Sequence, residues 1–403
     1  MKFSKRILKI KPSPTLEITA RANNLKAKGV DVINFGAGEP DFDTPSPIKD
    51  AAIKAINNGK TKYTPAGGII ELKKAILQKF KRDNNLNYDV NEVTVNCGGK
   101  HSIYNLMQIL LNDGDEVIVP APYWVSYPPV ILLAGGTPII LETNEENSFK
   151  ISPEKLKSII TSKTRAIIIN SPSNPTGVTY SQEELQNISD ILKKQDIIII
   201  SDDIYESLIY DSKKFINMAN LSEEIKKKTI VLNGVSKTYS MTGWRIGYMA
   251  GDEAIIKKVE ILQSQSTSNP CSISQWAALE ALTIDQSLIS DMVNLFNERR
   301  TILTNKLNQI PGVSCLVPNG SFYTFPNVKE IYKFRGWKSI EKKYSNENNS
   351  VILSSYLLDE SRIAVIPGIA FGCDLNIRLS FAASKENIIE GIERIKKAIE
   401  KLV

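Results

Sequence analysis

Lys237 follows the apolar run Ile230, Val231, Leu232 and Val235, and further on Arg245 stands between Trp244 and Ile246. A run of this length is consistent with a buried strand. A lysine at the mouth of such a strand is poorly solvated, which disfavours its ammonium form and leaves an amine able to attack a carbonyl. Position alone would equally suit one of the many surface lysines that follow strands. Ser236 and Arg245 tip the balance, because they supply a hydroxyl and a bidentate donor suited to a phosphate beside the amine.

Aldehyde chemistry and phosphate binding together describe pyridoxal 5'-phosphate. The segment SKTYSMTGWRIG resembles the cofactor-lysine segment of class I aminotransferases, the aspartate aminotransferase group of the fold-type I enzymes. GEPDFDTP, GKTKYT, GGK, PYWVSY, SPSNPTG, SDDIYE and NIRLS resemble further family segments, in family order and over nearly the whole chain. SMTGWRIGY, PYWVSYP and SQSTSNP are similar to the bacterial branch that includes aspartate and aspartate/prephenate aminotransferases. The resemblance implies an α/β fold whose large domain carries a mostly parallel seven-stranded sheet. A smaller α+β domain and a homodimer with active sites at the interface are implied too. The expected division is an N-terminal arm contributing to the small domain (1–45), a large pyridoxal-phosphate-binding domain (46–290) and a small C-terminal domain (291–403).

Several residues can be argued on their own chemistry beside the resemblance. Gly98 and Gly99 fall at a strand-to-helix turn, where backbone N–H groups and the helix dipole face an anion. Trp124 lies just past a strand end and can stack on a flat ring, with a core tryptophan as the alternative. Asp202 ends a strand of four isoleucines, where a carboxylate faces the ligand crevice of an open α/β sheet; a helix N-cap is the other reading, and Asp203 reads as a solvated neighbour. Arg378 sits inside the apolar strand NIRLS, and a buried guanidinium demands a partner such as a carboxylate.

The resemblance adds roles to these positions. Lys237 is the catalytic lysine that joins the cofactor and moves the Cα proton. Asp202 keeps the pyridine nitrogen protonated, and Asn174 and Tyr205 donate to the phenolic oxygen. Ser236, Arg245, Lys100 and the two glycines are cofactor residues, and Tyr63 reaches the phosphate of the neighbouring subunit unless it is a plain turn tyrosine. On the substrate side stand Arg378 and the Gly38 amide for the α-carboxylate, with Trp124 and Asn174 beside them. Many family members bind a distal carboxylate with a second arginine, which cannot be placed here in residues 264–271. In this branch Lys100, Thr15 and Lys11 are the substitutes, Lys11 being tied to prephenate, although each also fits an ordinary surface position.

The elements that must position these residues read as strand, turn and helix repeated from residue 92. They are preceded by an arm, a short helix and a strand in residues 1–44, and by helices opening at Ser46-Pro47 and carrying Ile69, Leu72, Ile76 and Phe80. Ser181 to Glu184 reads as a capping box, 264–271 as a polar loop, and 338–350, ending SNENNS, as a hydrophilic insertion. At 403 residues the chain is long enough for two domains or one large domain with an appendage. A net charge of +6 from scattered lysines argues weakly for anionic substrates and hardly at all for nucleic acid. The single histidine, His101, excludes a Ser-His-Asp triad built without it and any His-rich metal site. Four dispersed cysteines indicate neither disulfide framework nor zinc site, so a reducing cytoplasm is expected; neither signal peptide nor membrane-spanning run is read.

The expected activity is amino-group transfer between L-aspartate and 2-oxoglutarate, giving oxaloacetate and L-glutamate, with conversion of prephenate to arogenate as a further reaction. Another class I aminotransferase, of aromatic or alanine type, or a pyridoxal-phosphate-dependent lyase of the same fold is the alternative.

Overall fold

Strands apolar on both faces can only be satisfied inside a covered sheet, and they form the centre of this molecule. In chain order the strands are β1 (Ile33–Asn34), β2 (Val93–Asn96), β3 (Glu116–Ala121), β4 (Thr137–Glu142), β5 (Thr164–Asn170), β6 (Ile198–Asp202), β7 (Thr229–Gly234), β8 (Gly247–Ala250), β9 (Tyr323–Thr324), β10 (Ile363–Ala364), β11 (Ile366–Pro367) and β12 (Ile377–Ser380). A computed structural model describes residues 2–12, 14–345 and 348–403. The main sheet has seven strands in the order β2-β8-β7-β6-β5-β3-β4. All neighbours run parallel except the two pairs made by β8. Every residue of β7 is buried.

Register sets up the site. Asn170 lies beside Asp202 across β5 and β6, and Asp202 beside Leu232 across β6 and β7. The carboxyl ends of the parallel strands therefore share one edge, the place where open α/β sheets bind ligands. The helix Gly99–Leu110 packs below with Ile103, Leu106 and Met107 fully buried.

A second core belongs to the C-terminal part. β11, β12 and β9 form an antiparallel sheet, and β1 pairs parallel with β10. Phe296, Phe322, Leu353, Phe381 and Ile395 share one apolar cluster with Ile33 and Phe35, so the N-terminal strand is pinned among C-terminal elements. Tyr205, just past β6, reaches into the same cluster.

Below the end of β7 lies a buried ion pair. Lys79 Nζ donates to Glu206, which also accepts from Asn233 Nδ2 at 2.8 Å and Asn84 Nδ2 at 2.7 Å. The side chains of Lys79 and Glu206 are only 4% and 6% exposed, so the hydrogen bonds offset a large desolvation cost.

Three expectations are corrected. Residues 264–266 are not loop: the helix Glu253–Ser266 continues through them, with buried Gln263 donating to the carbonyls of Ala66 and Val95. The segment expected as a hydrophilic insertion is largely helical, Trp337–Tyr344 followed by Asn349–Ser361, because Trp337 and Ile340 anchor it to the second core. Of SNENNS, Asn346 and Glu347 lie outside the described residues. Asp203 is buried rather than solvated, accepting from Ser201 Oγ at 2.7 Å and from Asn217 Nδ2. The capping box stands, with Ser181 and Glu184 satisfying each other's backbone.

Candidate active site

Lys237 comes two residues after Val235, where β7 has ended and the chain turns over the sheet edge. Its Nζ donates to the Gly38 carbonyl at 2.6 Å. Burial pushes its pKa down to about 8, opposed by Glu39 and reinforced by Arg378 and Arg245, with Asp202 also raising it. These groups thus share one electrostatic neighbourhood.

Asp202 ends β6. Tyr127 Oη donates to its Oδ2 at 2.6 Å, and the Ile204 N–H to its Oδ1 at 3.4 Å. Burial raises the carboxyl pKa, while the Tyr127 bond, Ile204 and Lys237 pull it down. No helix begins at Asp202, so the N-cap alternative is not what the chain uses there. Asn170 Nδ2 donates to the Asp202 carbonyl at 2.9 Å, and its Oδ1 accepts from the Asn174 N–H at 2.8 Å, so β5 aligns the 171–177 loop against β6.

Arg378, on β12, comes from the second core. Nη1 donates to Asn174 Oδ1 at 3.0 Å and Nη2 to the Gly36 carbonyl at 2.9 Å. Its Cζ lies 4.3 Å from the Tyr323 ring centroid and 5.0 Å from that of Phe371. The residue is 4% exposed, yet Nε has no hydrogen-bond partner among the described residues. A buried guanidinium with an unspent donor and no paired carboxylate suits a carboxylate ligand.

The donor set at the other end suits a phosphate. Gly98 caps the helix Gly99–Leu110 with φ of 89°, and a Cβ there would lie 2.3 Å from Arg245 Nη2. The missing side chain lets the guanidinium meet the helix amino end, where Nη2 also donates to the Cys97 carbonyl at 3.4 Å and Nη1 to that of Thr242 at 2.9 Å. Lys100 stands 5.3 Å over the Trp124 ring, its pKa lowered by burial and by the charge of Arg245. Cations gathered at a helix terminus fit a dianion. Ser236 is buried, and its hydroxyl makes no hydrogen bond among the described residues. Trp124 meets Tyr127 edge to face at 5.4 Å.

Other positions lie apart. Tyr63 is 91% exposed and touches none of this cluster. Lys11 is exposed, without a hydrogen bond or ion pair among the described residues. Thr15, in the helix Pro14–Ala27, has an enclosed hydroxyl with no hydrogen-bond partner among the described residues. Sequence reasoning assigned no role to Tyr127, Asn170 or Tyr323, although Tyr127 stands inside the PYWVSY segment.

Comparison with known proteins agrees with this geometry. The model of the family "Aminotransferase class I and II" matches residues 30–395. The chain is 50% identical over 401 residues to an aspartate aminotransferase of Bacillus subtilis, covering 100% of both. It is also 50% identical over 396 residues to an aspartate/prephenate aminotransferase of Nitrosomonas europaea, covering 98% of this chain and 99% of that one. A crystal structure of the Rhizobium meliloti aspartate aminotransferase superimposes with a TM-score of 0.94 at 40% identity, covering 100% of both chains. That of Thermus thermophilus with maleate gives 0.90 at 37% identity, covering 99% of this chain and 100% of that one. This chain therefore belongs to the class I and II aminotransferase family.

Proposed function

We propose that this protein is a pyridoxal-phosphate-dependent aminotransferase that moves an amino group between L-aspartate and 2-oxoglutarate, giving oxaloacetate and L-glutamate. The observation that carries the reading is the place of the Lys237 amine, just past the end of β7, donating to the Gly38 carbonyl at 2.6 Å and within the field of Asp202 and Arg378. Pyridoxal phosphate, when bound, supplies an aldehyde carbon for amines and a cationic ring that accepts electrons.

The chain's own residues do the rest. Arg245, the hydroxyl of Ser236, Lys100 and the amino end at Gly98 and Gly99 hold the phosphate. Trp124 would cover the ring face, Asp202 would hold a proton on the ring nitrogen, and Asn174 and Tyr205 would donate to the phenolic oxygen. Arg378 and the Gly38 amide orient the α-carboxylate, so that the Cα–H rather than the carboxylate faces Lys237. The Lys237 amine, neutral in a useful fraction near neutral pH, takes that proton. Tyr127 donates to Asp202 and so opposes the upward push of burial on its carboxyl pKa.

We infer a homodimer, with Tyr63 reaching the neighbouring subunit's phosphate; its exposure and that of Ile53, Ile56 and Ile70 support the idea. The division into residues 1–45, 46–290 and 291–403 is proposed on the same resemblance. Among the described residues no helix is long and apolar enough to cross a membrane, and with the free cysteines this supports a cytoplasmic enzyme.

The Nitrosomonas europaea relative favours prephenate as a second amino acceptor, with Lys11, Thr15 and Lys100 on the distal carboxylate. Lys11→Ala should then weaken prephenate turnover more than aspartate turnover; equal loss removes that role. The main reading is tested by a panel of amino donors and keto acids on purified protein. Oxaloacetate from aspartate with 2-oxoglutarate is expected, whereas release of a side-chain product without glutamate would make the protein a lyase.

A further inference from the structure

We propose that Tyr323 is a positioning residue for the reaction: its hydroxyl donates to Tyr205 Oη and so reserves the Tyr205 proton for the phenolic oxygen of the cofactor. This rests on the role given to Tyr205 above. Tyr323 stands on β9, from the second core, and is 1% exposed; Tyr205 follows β6 of the main sheet and is 3% exposed. Their hydroxyl oxygens are 3.1 Å apart, and their rings meet edge to face at 5.8 Å.

A phenol has one proton, so the direction of the shared bond decides what is left for a ligand. Neither hydroxyl has another hydrogen bond among the described residues. If Tyr205 donated to Tyr323, its proton would be spent and the buried Tyr323 proton would find no acceptor. If Tyr323 donates, both protons are used once a ligand oxygen is present, which is the arrangement a buried polar pair favours.

The surroundings set the same direction. Arg378, 4.3 Å from the Tyr323 ring centroid, favours ionisation of both phenols, but burial and Asp202 leave Tyr205 the more strongly raised of the two, so Tyr323 is the better donor. The other charged groups felt by the pair are Asp202, which raises the Tyr205 pKa, and Glu39, which raises that of Tyr323. A donated bond to Tyr205 Oη strengthens Tyr205 as a donor in turn, since chained hydrogen bonds polarise one another.

The test uses the cofactor-loaded protein and reads the protonation midpoint of the Lys237 nitrogen from the absorbance of the bound cofactor against pH. Donors to the phenolic oxygen withdraw charge from it and weaken its hold on that proton, so losing one raises the midpoint. Tyr323→Phe, which keeps the ring on Arg378, should raise it by roughly half a unit. The same change in a Tyr205→Phe background should move nothing, because the effect passes through the lost hydroxyl. Leu353→Ala, which loosens the same core from the helix Asn349–Ser361, should lower Tm and leave the midpoint in place. An unmoved midpoint in Tyr323→Phe, or an equal shift with and without the Tyr205 hydroxyl, overturns the proposal. If Tyr205→Phe itself leaves the midpoint unchanged, the role assigned to Tyr205 fails instead.

Discussion

Arg378 Nη1 donates to Asn174 Oδ1 at 3.0 Å, joining a strand of the second core to the loop that follows β5. Because the amide oxygen is taken by the guanidinium, the Asn174 NH2 group is the end left to face a ligand. One contact therefore fixes both the guanidinium of Arg378 and the orientation of the Asn174 amide.

Arg378→Ala is expected to lower kcat/KM by about two to four orders of magnitude, since two charge-assisted bonds to a carboxylate are lost. Most of the loss should appear in KM for the amino acid. Steady-state kinetics over a wide substrate range separates this from a kcat effect. An unchanged KM would mean that another group holds the α-carboxylate.

Lys237→Ala should abolish transamination, and borohydride treatment should no longer fix cofactor to the peptide containing residue 237. The lysine also leaves a mark on the stability of cofactor-free protein. The folded chain releases its proton near pH 8 and the unfolded chain near the ordinary 10.5. Between these values the unfolded state binds more protons, so this group makes stability rise with pH, by at most roughly 3 kcal/mol. Urea titrations between pH 7 and 11 should show that rise in the parent relative to Lys237→Met. Parallel curves would place the amine in water.

Tyr127→Phe removes the donor at 2.6 Å from Asp202 and leaves burial less opposed. The Asp202 carboxyl then takes up a proton more readily, so the acid limb of the kcat/KM profile should move to higher pH. A profile superimposable on the parent would show that the Tyr127 bond does not tune this carboxylate.

Gly98→Ala places a methyl group 2.3 Å from Arg245 Nη2, at a φ of 89° that side chains rarely adopt. Displacement of the guanidinium together with about 1 kcal/mol of backbone strain predicts at least roughly tenfold weaker binding of pyridoxal phosphate. Equilibrium dialysis against the cofactor measures it directly. Gly114→Ala is the control for backbone strain alone, since it has a φ of 90° while its Cβ would meet open space.

The main sheet was legible because its apolar strands admit few other readings, and Lys237, Asp202 and Gly98 stood out because each lies at or just past the end of such a strand. Contacts between distant segments were not legible. Tyr127 meets Asp202 across 75 positions, and Tyr205 meets Tyr323 across 118; no local spacing encodes either bond. Asp203 misled because an acidic residue beside a turn reads as solvated, whereas Ser201 and Asn217 bury it with partners. β4 escaped notice because its faces are only half covered, and β8 because four residues after a turn carry little pattern.

The pair of Lys79 and Glu206 beneath the end of β7 has a consequence for how this chain can change. Losing Lys79 leaves Glu206 buried without its cation, and losing Glu206 leaves Lys79 only the exposed Asp83 at 3.8 Å as a carboxylate partner, so each is held while the other remains. Only a simultaneous exchange of both for well-packed apolar residues escapes that trap. Descendants of this sequence should therefore carry the two together or lack the two together.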